Sequence, residues 1–400
     1  MYKHWDDQKK KLLELIYSGK SASCQVCIGT NYPIFFRNIH SDLLLKKSVI
    51  PVYVDVSYLN EKSPYNLYRS MLLSIKRTLL EKKLSNKVEM VETSIEDIHT
   101  AIEQSVIELS SKNFIVAFFF EDFDLMGEHT KEIVLKNEIL KSSNERCSFI
   151  YLTKTNVFHP ENLIRFSRAP HIYESVIYFP SKDEKYLRSI EKGVSPKIFK
   201  SIFELTGGVD SFFSIAMDLK NNLSPRERKN IEKYIHDNLH LKKEVAKMWD
   251  SFSETEIRLL SQIVWGVKEV DKELELDLKH LIGLGLVTEI KGGYKISVGL
   301  LRSVGIEKSM QRKVAVDYEN EKVKINGHEI SIKLSEAEKR VLRQLLLNKN
   351  KIVGRSLIAK AVDPSKIDST MHDIKVKLSS FWVNPNNLIA VEDKGYVYRE

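Results

Sequence analysis

The sequence predicts an α/β core built on a parallel sheet, a helical segment after it, and two small units of helices closed by a hairpin. Three observations carry this expectation. Short apolar runs alternate with amphipathic stretches over residues 1–180. One run, Phe114-Ile115-Val116-Ala117-Phe118-Phe119-Phe120, is apolar throughout, as a parallel strand covered on both faces requires. Twice, near residues 245–305 and at the end of the chain, helical periodicity gives way to two β-prone segments separated by a glycine-containing turn.

In chain order, residues 5–18 read as an amphipathic helix with Trp5, Leu12, Leu13, Leu15 and Ile16 on its apolar side. Gln25-Val26-Cys27-Ile28 reads as the first strand, Gly29-Thr30-Asn31-Tyr32-Pro33 as a turn, and residues 34–39 as the opening of a helix. A strand at 49–55, helices at 64–83 and 94–110, the apolar strand, a helix at 133–140 and strands at 148–153 and 173–179 complete the core. Residues 181–242 are mostly helical, over 183–191, 195–205, 212–220 and 224–238. The last of these starts at Ser224-Pro225 with Glu227 following, a Ser cap with Pro in the first turn. In residues 243–306, Ser253-Glu254-Thr255-Glu256 caps a helix over 257–265, residues 276–282 form another, and 283–290 pairs with 292–297. Residues 302–314 read as a basic connection. Over 312–400, strands at 314–318, 322–325 and 329–332 lead to helices opened by Leu334-Ser335-Glu336-Ala337-Glu338, then at 355–360 and 367–378, and to strands at 388–392 and 395–399.

Four hundred residues leave ample length for several buried cores. The net charge is +8, and from Gln311 onward seventeen Lys and Arg face twelve Asp and Glu, so +5 of it lies in the last ninety residues. Such asymmetry fits a polyanionic partner, though a solvated Lys-rich face gives the same count. Cys24, Cys27 and Cys147 are the only cysteines. Cys24 and Cys27 have the spacing of a metal or redox pair, but they sit in an apolar run and no second Cys/His pair stands at ligand spacing. A buried strand is therefore expected and no metal. Free thiols, an N-terminus without signal-peptide character and the lack of a membrane-length apolar run make a cytoplasmic location the expectation.

The terminal segment resembles the OmpR/PhoB-type winged-helix domain of bacterial transcription regulators. Leu334-Ser335-x-x-Glu338 is similar to the start of its first main helix. Val353-Gly354-Arg355-Ser356-Leu357-Ile358 resembles the start of the second, where the family commonly reads Arg-x-x-Leu; Arg355 matches and Ile358 replaces the leucine. Residues 367–378 resemble the recognition helix, including its Lys-Leu ending, and Val391-Glu392-Asp393-Lys394-Gly395-Tyr396 resembles the wing. The resemblance implies double-stranded DNA as partner, met by Arg355, Thr370, His372, Lys375, Lys377, Lys394, Tyr396 and Arg399. Helical spacing puts Ile367, Met371, Ile374 and Leu378 on one face and Thr370, Asp373 and Lys377 on the other. Asp373 stands where the family commonly has a basic residue, and Glu392 makes the wing less basic, so a domain that binds protein is the competing expectation.

Residues 1–180 resemble an AAA+/STAND-type P-loop ATPase module, in the branch that includes origin-recognition-like ATPases. Phe118-Phe119-Phe120-Glu121-Asp122-Phe123-Asp124 is similar to its Walker B strand, whose acidic end in that family holds magnesium and polarises water. Thr153 or Asn156 would stand for its sensor residue. Leu205-Thr206-Gly207-Gly208-Val209-Asp210 resembles the lid motif Gly-Gly-x-Pro without the proline. Residues 181–242 resemble the lid itself, and 243–306 the winged helix that commonly follows it. The departure lies in the first turn. A phosphate-binding loop needs glycines for close backbone approach, a Lys for phosphate charge and a hydroxyl for magnesium. Gly29-Thr30-Asn31-Tyr32-Pro33-Ile34-Phe35-Phe36 has no Lys, no second Gly and no Ser or Thr at the helix start. Pro33 removes a donor and Phe35-Phe36 bring apolar bulk. Gly19-Lys20-Ser21 precedes the strand and cannot serve. Gly29, Glu121 and Asp122 are then remnants of a nucleotide site, or Glu121, Asp122 and Asp124 are a solvated strand end. The expectation is a pseudo-ATPase with no catalytic residue and no cofactor, a scaffold for partner proteins or homo-oligomers, carrying a DNA-binding tail of a transcriptional regulator. The alternative is an interaction scaffold, or an ATPase-derived component of a bacterial defence, replication or mobile-element system.

Overall fold

The computed structural model describes residues 3–84, 94–159, 162, 175–264, 270–310, 314–317, 322–325, 328–330, 334–379, 383, 387–391 and 394–399. The chain divides into two compact units. The first comprises Met1–Phe203, Gly207–Ile231 and Lys279–Leu286; the second comprises Glu204–Thr206, Glu232–Leu278 and Val287–Glu400.

The first unit is built on five parallel strands: β1 (Ala22–Val26), β2 (Val49–Asp55), β3 (Ile115–Glu121), β4 (Cys147–Thr153) and β5 (Val176–Phe179). Their spatial order is β2-β3-β4-β1-β5. The chain leaves β1 for the far edge, returns through β3 and β4, and then passes beyond β1 to β5. That reversal makes the carboxyl end of β1 a topological switch point, where open α/β sheets hold ligands. Helices α1 (Asp6–Tyr17) and α2 (Tyr32–Leu44) cover one face; α3 (Pro64–Glu81), α4 (Ile95–Ser111) and α5 (Thr130–Ser142) cover the other. The period-2 alternation of a strand divides the apolar run accordingly. Phe118 and Phe120 pack under α3 to α5, while Ala117 and Phe119 pack under α1 and α2.

The first strand begins three residues earlier than its apolar residues indicate, because Ser23 and Gln25 are buried polar members of it. The Gln25 amide donates to Ser23 Oγ (3.2 Å) and to Thr153 Oγ1, and its oxygen accepts from Val157 N–H (3.4 Å). A satisfied buried amide costs little, so burial of this polar pattern is tolerated. After β5 come α6 (Glu184–Ile190), α7 (Pro196–Thr206) and α8 (Asp210–Asn222). The α7–α8 turn needs its glycines: Gly207 and Gly208 have φ of +58° and +74°, and a Cβ at Gly208 would lie 1.8 Å from the Lys182 carbonyl oxygen. The helix expected over 224–238 is a 3₁₀ turn, Glu227–Asn230, followed by α9 (Ile231–Asp237), which belongs to the second unit from Glu232 on. Ser224 and Glu227 nevertheless exchange the expected cap bonds, at 2.8 and 3.4 Å.

In the second unit, α10 (Leu239–Asp250) and α11 (Glu254–Val264) are followed by α12 (Glu275–Gly283), whose last turn belongs to the first unit, and by the hairpin β6 (Val287–Ile290) and β7 (Gly293–Ile296). The stretch expected as a connection is a helix, α13 (Gly299–Met310), against α10 and α11. Its buried residues include Leu300, Leu301 and Gly305, an apolar side that the basic character of the stretch masked. Next stand an antiparallel sheet of β8 (Val314–Asp317), β9 (Lys322–Ile325) and β10 (His328–Ile330), and helices α14 (Glu336–Leu347), α15 (Arg355–Ile358) and α16 (Ile367–Ser379). The hairpin β11 (Leu388–Val391) and β12 (Gly395–Tyr398) closes the unit. Val341, Leu342, Leu345, Ile358, Ile367, Met371, Ile374, Leu378, Leu388 and Tyr398 form its core. Among the described residues no helix is long and apolar enough to cross a membrane.

Candidate functional site

The turn after β1 lies at the switch point, yet the chain's own groups fill it. Gly29 has φ +80°, and Thr30 Oγ1 donates to the Cys27 carbonyl at 2.7 Å. The first free N–H of α2, that of Asn31, donates to Asp210 Oδ2 at 2.9 Å. The start of α8 is tied down beside it, Ser211 N–H donating to the Gly29 carbonyl at 2.8 Å. The approach is so close that a Cβ on Gly29 would meet Ser211 Oγ at 2.6 Å and Val209 Cγ1 at 2.9 Å. Asp210 also forms an ion pair with Lys182, and both side chains are under a tenth exposed. Pro33 sits in the first turn of α2, where a missing N–H costs nothing, and Phe35 and Phe36 go into the core with Trp5 and Phe179.

The acidic ends of β2 and β3 are equally engaged. Tyr32 donates its phenol to Asp122 Oδ1 at 2.6 Å, and Lys154 Nζ lies 2.8 Å from the same atom. Burial, then the bond to Asp122, holds the Tyr32 phenol far above its ordinary pKa. Glu121 was one candidate for a solvated strand end; it is instead 3 % exposed. It accepts from the Tyr53 phenol at 2.8 Å and from Arg37 Nη2 at 3.4 Å, while Arg37 Nη2 also reaches Asp55 at 3.1 Å. Burial raises the Glu121 carboxyl above its usual range against the lowering bond from Tyr53. Asp124 accepts from Lys154 N–H at 2.6 Å and from Thr155. Of the sensor candidates, Thr153 is bonded to Gln25, and Asn156 Oδ1 accepts from Phe158 N–H at 3.0 Å. Gly29, Glu121 and Asp122 thus stand at the carboxyl ends of two inner strands, β1 and β3, with each carboxylate and both lysines in internal contacts. Asp210 stands in the lid-like stretch, where the motif has proline, but the sequence had no signal that it pairs with Lys182 and with Asn31, far along the chain.

Cys24, Cys27 and Cys147 are buried and free. Burial pushes the Cys27 thiol up to about 12, the opposite of a reactive thiolate. No group of three or more His, Cys, Asp or Glu among the described residues could hold a metal.

At the other end of the chain, α16 buries Ile367, Met371, Ile374 and Leu378 as its spacing requires. Thr370, placed by the same spacing on the outer face, is 8 % exposed and lies with the apolar residues. A threonine methyl fits that environment, and helical period alone cannot separate a small buried residue from a polar outer one. Lys377 is turned to the unit itself: its Nζ lies 2.8 Å from both oxygens of Glu338. Arg355 binds both oxygens of Asp368, at 2.8 and 2.7 Å, and the Tyr396 phenol donates to the same carboxylate. These contacts join the starts of α15 and α16 to the hairpin, and Tyr396 is buried. His372, Lys394 and Arg399 are exposed and Lys375 is half-buried. Asp373 is exposed as well, while Glu392 lies outside the described residues.

No family model matches this sequence, and no curated protein does. Among solved structures the chain is similar to a Walker-type ATPase of Pyrococcus abyssi, at 12 % identity and a TM-score of 0.51, over 75 % of this chain and 95 % of that one. The two chains share an α/β fold. At such identity the likeness is one of fold alone. Cdc6p of Pyrobaculum aerophilum matches at 14 % identity and a TM-score of 0.40, over 76 % and 92 % of the two chains. The Orc1 protein of Aeropyrum pernix, solved in complex with DNA, matches at 13 % and 0.41, over 75 % and 92 %. The five-stranded parallel sheet with helices on both faces belongs to that α/β P-loop-type class.

Proposed function

We propose that this protein binds double-stranded DNA through residues 312–400, which we take as an OmpR/PhoB-type winged helix, and that it acts as a transcriptional regulator. Residues 1–180 then serve as a pseudo-ATPase scaffold without a catalytic residue. The observation that supports the DNA reading best is the division of α16: its apolar side is consumed by the core, while His372 and Lys375 remain on the outside near a hairpin that presents Lys394 and Arg399. One face packs and the other offers donors to phosphates and base edges.

Mobility shifts of the full chain on duplex DNA over a salt series test this. Three permanently charged residues, Lys375, Lys394 and Arg399, predict a slope of log K on log salt of roughly −3 per chain. A slope near zero, or no binding to any duplex at low salt, removes the reading. Titration calorimetry with magnesium-ATP tests the scaffold half: heat at millimolar nucleotide would restore a working site. The second reading, a protein-binding tail, is favoured by the two cations already neutralised, Arg355 and Lys377, and by the exposed Asp373. Association with a protein partner that survives nuclease, without DNA binding, would select it.

A further inference from the structure

The carboxylate of Asp210 sits where an anion belongs. It accepts the Asn31 N–H at the start of a 13-residue helix and pairs with a lysine that is itself buried. Helix N-termini favour negative charge because their first N–H groups have no partner within the helix. Lys182 supplies the full positive charge that the turn's own sequence lacks, and it comes from the strand-to-helix segment after β5. The same few residues close the contact mechanically: Ser211 N–H binds the Gly29 carbonyl, Lys182 N–H binds the Gly208 carbonyl at 3.0 Å, and neither Gly29 nor Gly208 has room for a Cβ.

We propose that Asp210 is a built-in substitute for a phosphate. Its carboxylate occupies the oxyanion position between Asn31 N–H and Lys182, and so holds residues 207–213 on the turn permanently, without a nucleotide. The ATPase fold is thereby kept in one closed arrangement by a covalently attached anion. A diffusible one would come and go. This rests on the reading that the body holds no nucleotide.

The test replaces the attached anion with a free one. The full-length protein and its Asp210→Ala variant are melted in inorganic phosphate, in acetate and in chloride of matched ionic strength. The unaltered protein is expected to respond to none of them beyond the chloride control. Asp210→Ala is expected to melt lower and to regain a few degrees, saturably, in phosphate or acetate; Asp210→Ala with Lys182→Met is expected to regain nothing. Recovery in acetate alone would mean a position sized for a carboxylate, and recovery in phosphate one that still admits the larger ion; either supports the substitution. A folded Asp210→Ala that ignores both anions overturns it. Where Asp210→Ala fails to fold, Asp210→Asn gives the answer by hydrogen exchange: loss of charge with shape retained should speed exchange over 207–213 about tenfold, and unchanged exchange overturns the proposal. ATP binding by the unaltered protein would sink the pseudo-ATPase reading together with this one. A silent wild type with an unresponsive Asp210→Ala sinks only this one.

Discussion

Two lysines on one helix, two residues apart, should fail in different ways when removed. Lys377 Nζ lies 2.8 Å from each oxygen of Glu338, which is 5 % exposed. Glu338 is also the closing residue of the α14 capping box, accepting from Ser335 N–H while its own N–H donates to Ser335 Oγ. Lys377→Ala would leave that carboxylate with the Ser335 bond alone. A hydrogen bond between charged groups contributes about 1.5–3 kcal/mol. The lysine is more than a third exposed, so screening reduces the expected loss to about 1–2 kcal/mol. That corresponds to a factor of about 5–30 in the opening of α14, measurable as hydrogen exchange in the full-length chain. The pH dependence has a definite sign. Burial raises the Glu338 carboxyl, but Lys377 and Ser335 outweigh it and hold the group below its ordinary value. The pair's contribution is therefore complete above the usual carboxylate range and is lost as pH falls through the lower folded value, so variant and wild type should converge in acid, below that range. Lys375→Ala should leave exchange unchanged, weaken duplex binding and reduce the salt slope by about one. If Lys377→Ala left α14 exchange untouched and instead matched Lys375→Ala in DNA affinity, the assignment of Lys377 to the interior would be refuted.

Two further perturbations follow from the second unit. Burial pushes the Glu256 carboxyl from 4.5 up to about 7 against its Ser253 bonds, with Asp277 adding to the rise. The folded chain keeps a proton there that the unfolded chain gives up, so stability should fall as pH rises from 4.5 to about 7; Glu256→Gln should remove up to about 3 kcal/mol of that dependence, and parallel pH profiles of the urea midpoint in the two proteins would refute it. Gly395 has φ +135°, and a Cβ there would stand 2.1 Å from the Val353 carbonyl oxygen. Gly395→Ala should break the Val353–Tyr396 bridge at a cost above about 2 kcal/mol, seen as lost amide protection at both residues; retained protection would refute it.

Where local pattern decides the structure, the sequence was legible. β2 falls on the expected residues, and the run Phe118, Phe119 and Phe120 is a strand buried on both faces because only such a strand tolerates three consecutive aromatics. The helix starts at Ser253 and Ser335 were visible as Ser with Glu three residues on, and Ser224 and Glu227 make the same cap bonds ahead of a 3₁₀ turn. Local pattern failed where a polar residue was satisfied from elsewhere. Ser23 obscured the start of β1, Thr370 was assigned to the outer face, and the basic residues of 302–314 hid a helix with Leu300 and Leu301 on its buried side. The missing lysine and second glycine of the first turn were plain in the sequence. What fills the turn was not, because Asp210 stands 179 residues from Asn31 and periodicity is silent at that distance.

The same physical event decides both candidate sites. A sequence shows which groups could meet a phosphate; it does not show whether a carboxylate from another element reaches them first. At the turn, Asp210 takes the Asn31 N–H and Lys182, and Asp122 takes Lys154 and the Tyr32 phenol, so the groups best placed to attract a triphosphate are already neutralised. In the terminal unit the outcome is divided: Glu338 holds Lys377 and Asp368 holds Arg355, whereas His372, Lys375, Lys394 and Arg399 remain turned outward. Displacing an internal carboxylate costs a bound ligand the pairing energy it breaks, so a polyanion gains more from the four outward groups than from the captured ones. Of the eight residues expected to meet DNA, those four are then the ones left to do so. Arg355 and Lys377 would contribute indirectly, Arg355 by joining α15 to the start of α16 and, through Asp368, to Tyr396 of the hairpin, and Lys377 by joining α16 to α14.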